Sequence, residues 1–192
     1  MRRSRTDRKA EIRARVRALV KAMSPEQRAA DSVRACSRLK AQRAWEEAAT
    51  VLFYAPLPDE LDLWPLVLEA LSSGQRVALP RYDKATGTYA PSLIENAGGD
   101  LVAGMLGIRE PGPQCPWLRG EQIDLVMVPG VAFDAGGRRL GRGKGFYDRL
   151  LRTVGGTKCG AGFDQQIVAD LPVEPHDFSM DCVLTPTRWI VL

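Results

Sequence analysis

The stretch "RRLGRGKGFYDRLL", Arg138 to Leu151, places glycine at alternate positions 141, 143 and 145, with Arg142 and Lys144 between them. Alternate glycines leave successive backbone N–H groups open to one anion, because no Cβ blocks the approach and positive φ is permitted. Phosphate is the obvious ligand: a helix starting near Gly145 would add its positive end, and Arg142 and Lys144 add full charges. The pattern is not a Walker A loop, since Gly145 follows Lys144 where serine or threonine would stand, and it is not GxGxxG, because its third glycine comes one residue early. A flexible turn between a strand and a helix is the plainer reading of the glycines alone. Asp148, directly after Phe146 and Tyr147, suits the magnesium ion that accompanies a nucleotide polyphosphate, or else it is a first-turn acid facing the positive end of a helix. Asp177 and Asp181 offer a second source of carboxylate, and His176, the one histidine, reads as a loop residue rather than a metal ligand.

Positioning these groups falls to a 192-residue chain that is 45% hydrophobic, enough for the core of one domain. Ile12, Val16, Leu19, Val20 and Met23 recur at helical spacing, which predicts an amphipathic helix over 7–23 with Lys9 inside the apolar stripe and Arg13 on its edge. A lysine pointing inward either meets an anion, a carboxylate or a ligand phosphate, or snorkels to water from a frayed helix start. Ser24, Pro25 and Gln27 signal a second helix running to about residue 43. Apolar runs at 51–55, 76–79, 124–128, 159–163 and 182–185 predict buried strands, four of them stopped by Pro56, Pro80, Pro129 and Pro186. Helical patterns over 62–73 and 145–154 lie between them. That alternation predicts βαβ units, a mainly parallel sheet, and a ligand cleft beyond the carboxyl ends of its strands. Asp59, Glu60, Arg81, Tyr82, the glycine-rich loop, 164–166 and 176–181 would then stand near the cleft, while 83–122 reads as loop with one hairpin at Thr86 and Gly87.

Charge and cysteine usage narrow the function. Residues 1–21 carry nine lysines and arginines against Asp7 and Glu11, a net +7 that leaves −3 for the rest of the chain. Such an arm could bind nucleic acid, but its apolar stripe requires packing and no nucleic-acid motif accompanies it, so a solvated helix face is the favoured reading. Four dispersed cysteines without a CxxC pair argue against a zinc set or a disulfide framework and predict a reducing cytoplasm. No apolar run approaches the roughly 18 residues that span a bilayer. A phosphate loop on such a sheet also suits an enzyme without ATP, such as a sugar-phosphate isomerase, for which no nucleotide would be required.

Taken in order along the chain, "KAEIR" (9–13), "AMSPEQR" (22–28), "PDELDL" (58–63), "ALPRY" (78–82), "GIREP" (107–111), "DLVMVPGVAFDAGGRRLGRGKGFYDRLL" (124–151) and "FDQQIVADLPVEPHDFSMD" (163–181) resemble the 5-formyltetrahydrofolate cyclo-ligases. The resemblance implies a single-domain, three-layer α/β fold, with a helical pair over 1–43 packed on the body and helices on both faces of a mainly parallel sheet, similar to sugar-phosphate isomerases and CoA transferases. It implies an ATP- and Mg2+-dependent ligase that closes 5-formyltetrahydrofolate to 5,10-methenyltetrahydrofolate, acting as a cytoplasmic monomer on a small molecule, with no nucleic-acid or membrane partner. By the same likeness, Lys9, Arg13 and the loop Gly141, Arg142, Gly143, Lys144, Gly145, Phe146 and Tyr147 contact nucleotide, with Arg142 and Lys144 catalytic. Ala55, Glu60, Arg142, Lys144 and Phe146 contact the folate, and Asp148 and Asp177 hold the metal. Phe146 stands where many members have tyrosine, and Leu106 where many have an aromatic.

Overall fold

The computed structural model describes residues 4–104, 107–172, 174 and 177–192; Leu106 and His176 lie outside them. Helix α1 (Arg5–Ala22) starts at Ser4, whose hydroxyl accepts the Asp7 N–H at 3.1 Å, and α2 (Pro25–Lys40) starts at Ser24, which accepts the Gln27 N–H at 3.1 Å. Four of the five residues of the α1 stripe are buried: Ile12 and Val16 pack with Val131, Leu140 and Leu171, while Val20 and Met23 join the main core; Leu19, expected with them, is exposed. A short helix, α3 (Arg43–Glu46), ends the helical N-terminal region.

The body follows as β1 (Thr50–Leu52), α4 (Trp64–Ser72), β2 (Arg76–Asp83), β3 (Thr88–Ile94), β4 (Leu101–Ala103), β5 (Arg109–Pro111), β6 (Leu125–Pro129), β7 (Ala132–Asp134), β8 (Arg139–Leu140), α5 (Phe146–Leu150), β9 (Thr157–Ala161), β10 (Ile167–Val168), β11 (Cys182–Leu184) and β12 (Trp189–Val191). Seven strands form one mixed sheet in the order β12-β11-β9-β6-β1-β2-β3. Its five central strands run parallel, and they are the five apolar runs of the sequence; β3 and β12 close the edges antiparallel. Alternation sorts the strand residues between two cores. Val77, Leu79, Leu125 and Met127 meet Leu39 of α2 and Val67 of α4, whereas Ala78, Val126 and Val128 meet Leu150 of α5, Leu151 and Phe133.

Two expectations fail locally. Strand β2 does not stop at Pro80: its parallel pairing with β1 ends at Ala78, and beyond that it pairs with β3, where Pro80 faces Pro91. Two opposed prolines fit a position of the ladder that demands no N–H from either. The expected loop over 83–122 contains β3, β4 and β5, besides the hairpin at Gly87, whose φ of 69° suits glycine. Strands β4 and β5 are three residues each, too short for a hydrophobic pattern to mark them, and β4 is mostly exposed although its residues are apolar. Among the described residues no helix is long and apolar enough to cross a membrane.

Candidate active site

At the carboxyl ends of β1 and β6 the chain opens a cavity of about 840 Å³, bordered by Ala55 after β1 and by Pro129 and Gly130 at the end of β6. Strand β8 delivers Arg139 and Leu140 to its wall, the glycine loop follows, and α5 begins at Phe146. The glycines serve two different needs. Gly143 and Gly145 have φ of 100° and 65°, a conformation that side-chain-bearing residues rarely adopt. Gly141 has no such φ, but a Cβ there would lie 2.9 Å from Arg139 Nη1. Helix α5 is only five residues long, so the expected help from a helix end is small and charge must come from side chains.

Every residue picked from the sequence as catalytic, nucleotide-binding, folate-binding or metal-binding lines this one cavity, Lys9 and Arg13 from α1 included. Lys9 resolves in favour of an anion: its side chain is 10% exposed and its Nζ donates to Glu174 Oε2 at 2.6 Å and Asp177 Oδ2 at 2.8 Å. Loss of water pushes its pKa down, but the hydrogen bonds and charges of Asp177 and Glu174 outweigh that and hold it above 10.5. Arg13 Nε donates to the Gly141 carbonyl at 2.9 Å and so ties α1 to the loop. Asp148 accepts from Arg139 Nη2 at 2.8 Å, and the Arg139 side chain is 3% exposed. Arg139 Nε is buried without a hydrogen-bond partner.

Arg142 crosses the cavity. Its Nη2 donates to Asp59 Oδ1 at 2.7 Å and Glu60 Oε1 at 3.0 Å, and its Nε reaches Glu60 Oε1 at 3.2 Å. The other Glu60 oxygen accepts the Leu57 N–H at 3.0 Å. Burial raises the Glu60 pKa above 4.5, with the Leu57 N–H and Arg142 pulling back toward the ionised form. Lys144 is exposed and makes no ion pair among the described residues. Phe146 stands edge-on to Tyr82 and Tyr89, with centroids 6.4 and 5.3 Å away.

Several neighbours were not singled out in advance. Glu110, 4% exposed, accepts the Tyr89 hydroxyl at 2.9 Å and the Tyr82 N–H at 3.0 Å beside Phe146. Tyr89 and Glu110 sit in the segment read as loop, and Arg139 sits inside the glycine-rich stretch, where charge next to the loop was the available signal. Conversely, Arg81 turns away to the carbonyls of Gly112 and Cys115, both at 2.7 Å, with its guanidinium 3.5 Å from the Trp117 ring centroid. Asp164 is held by Thr185, Thr187 and Arg188, and Asp181 accepts the Lys158 N–H, so both hold the frame together. Among the described residues no group of three or more His, Cys, Asp or Glu could hold a metal ion.

The fold and site define an α/β protein with a cation-rich glycine loop on one side of a cleft and buried carboxylates on the other. A profile of the 5-formyltetrahydrofolate cyclo-ligase family matches residues 5–186. The chain belongs to that family. It is 41% identical over 156 residues to a 5-formyltetrahydrofolate cyclo-ligase of Mycolicibacterium smegmatis, covering 74% of this chain and 76% of that one. It is 33% identical over 172 residues to that of Escherichia coli K12, covering 88% and 94%. The solved structure of Aquifex aeolicus 5,10-methenyltetrahydrofolate synthetase superimposes with a TM-score of 0.86 at 33% identity, covering 95% of this chain and 92% of that one.

Proposed function

We propose that this enzyme converts 5-formyltetrahydrofolate to 5,10-methenyltetrahydrofolate, consuming ATP with Mg2+ and releasing ADP and phosphate. The observation that carries the reading is the convergence of the phosphate-type loop, Lys9, Arg13 and the Glu60 carboxylate on one cavity. ATP is a substrate here. Its polyphosphate lies along the loop from Gly141 to Tyr147, with Lys9 and Arg13 contributing from α1. Glu60 accepts N–H bonds from the pterin edge beside Ala55, and Phe146 borders the folate. The formyl oxygen attacks the γ-phosphorus, the bond to the β-phosphate breaks, and ADP departs. N10 then attacks the activated formyl carbon and gives up its proton, and phosphate leaves with the former formyl oxygen. Phosphoryl transfer needs positioning and charge neutralisation above all, and Arg142 and Lys144 supply both.

Asp148 and Asp177 are the carboxylates that would hold Mg2+. The donor set fits an ion carried mainly by phosphate oxygens and water, which needs only one or two carboxylates, and both of these line the cavity. When bound, Mg2+ supplies charge neutralisation on the polyphosphate. Arg139 and Lys9 keep the two carboxylates oriented meanwhile. We further read the architecture as one three-layer domain of the type shared with sugar-phosphate isomerases and CoA transferases, working as a cytoplasmic monomer on folates with one glutamate or several.

The test is near-ultraviolet absorbance of the purified protein with 5-formyltetrahydrofolate, with and without Mg-ATP. The methenyl chromophore should rise only with nucleotide and in step with ADP. A chromophore formed equally well without ATP, or none with a protein that binds both substrates, overturns the reading.

A further inference from the structure

The ion pairs of Arg142 conflict with the tasks just assigned to their members. Glu60 cannot offer Oε1 freely to a pterin while it accepts from both Nε and Nη2 of Arg142, and Arg142 cannot meet a transferred phosphoryl group while it is drawn across the cavity. The contact from Nη2 to Asp59 Oδ1, at 2.7 Å, is the shortest of the three. Asp59 itself does not line the cavity, and its side chain is 45% exposed, so it acts on the reaction only through Arg142. Arg142 is flanked directly by Gly141 and Gly143 and its side chain is 38% exposed, so little packing holds the side chain in this one position. An exposed pair such as Asp59–Arg142 is weak enough to be exchanged for a better partner.

We infer that Asp59 is a positioning residue, which parks Arg142 against Glu60 in the free enzyme so that folate, by taking Glu60, releases Arg142 to the nucleotide. The inference rests on the function proposed above. Both substrates then favour the same opened arrangement, so each tightens the binding of the other by one and the same factor.

The experiment measures the Kd of a non-hydrolysable Mg-ATP analogue by calorimetry on the whole protein, without and with saturating 5-formyltetrahydrofolate. In the wild type the folate should tighten analogue binding about fivefold, the low end of typical coupling between sites. Asp59→Asn, a surface change of equal size, should bind the analogue more tightly than wild type in the absence of folate and bring the coupling factor toward one. Its KM for ATP should fall with kcat unchanged. Asp59→Glu, which restores the carboxylate, should restore the coupling. Equal Kd with and without folate in the wild type, or undiminished coupling in Asp59→Asn, overturns the role of Asp59. The wild type is assayed in parallel for the methenyl chromophore. Its absence overturns the proposed function and this inference with it, whereas turnover with uncoupled binding removes only the parking role.

Discussion

Near Ala55 and Glu60 the buried carboxylates are held in part by uncharged donors: Glu60 takes the Leu57 N–H besides its two bonds from Arg142, and Glu110 takes the Tyr82 N–H and the Tyr89 hydroxyl. Around the glycine loop the carboxylates are instead paired with cations, Asp148 with Arg139 and Asp177 with Lys9. The first arrangement keeps acceptors fixed beside an aromatic wall, which suits a flat ring with N–H edges. The second stores positive charge at low cost until a more highly charged anion arrives, because a cation already paired avoids the penalty of lone burial. Arg142 reaches from the glycine loop to Asp59 and Glu60 and so spans both regions, which is why the inferred coupling runs through it.

That contrast can be broken one side at a time. Lys144→Ala should have the largest effect, lowering kcat by roughly 10²- to 10³-fold, the usual loss for one transition-state donor, while the KM for folate changes little. Steady-state kinetics in both substrates check the split. Glu60→Ala removes charged hydrogen bonds worth about 1.5 to 3 kcal/mol, so folate affinity measured without nucleotide should fall by roughly 10- to 150-fold. Unchanged affinity would remove Glu60 from the folate end.

Titration sharpens the same contrast. Because the Glu60 pKa lies above 4.5, folate affinity should decline on acidification earlier than an ordinary carboxylate would allow, and the Glu60→Ala variant should lose that dependence. Stability runs in the opposite sense: a carboxyl with a raised folded pKa adds most to stability below about 4.5, and that contribution is lost as pH rises through the folded value. Binding calorimetry and thermal melts over the same pH series separate the two. Arg81→Ala should have the smallest kinetic effect: its bonds to the Gly112 and Cys115 carbonyls and its stacking on Trp117 hold β2 to the following segment, so Tm should drop while kcat and both KM values stay within about twofold of wild type.

The parallel centre of the sheet could be read from sequence because strands buried on both faces must be apolar throughout, and 51–55, 125–128 and 159–163 are. Edge and satellite strands give no such signal. Strands β4, β8 and β10 are two or three residues long, and β12 is half exposed, so hydrophobic pattern says little about them. The glycine loop announced itself through spacing, and Lys9 through a charge on an apolar stripe. What sequence could not supply was pairing at long range: Glu110 with Tyr89, Arg139 with Asp148, and Arg142 with Asp59 become neighbours only when the strands that carry them are aligned.

The central claim is that the formyl oxygen is the atom that receives the phosphoryl group. The direct measurement is to supply 5-formyltetrahydrofolate labelled with oxygen-18 in the formyl group, run the reaction with unlabelled Mg-ATP in unlabelled water, and weigh the released phosphate by mass spectrometry. One atom of oxygen-18 per phosphate is the expected result. Phosphate without the label, formed alongside the methenyl product, would mean that ATP is hydrolysed by water and that the cavity does not join its two ends through the phosphorylated formyl group.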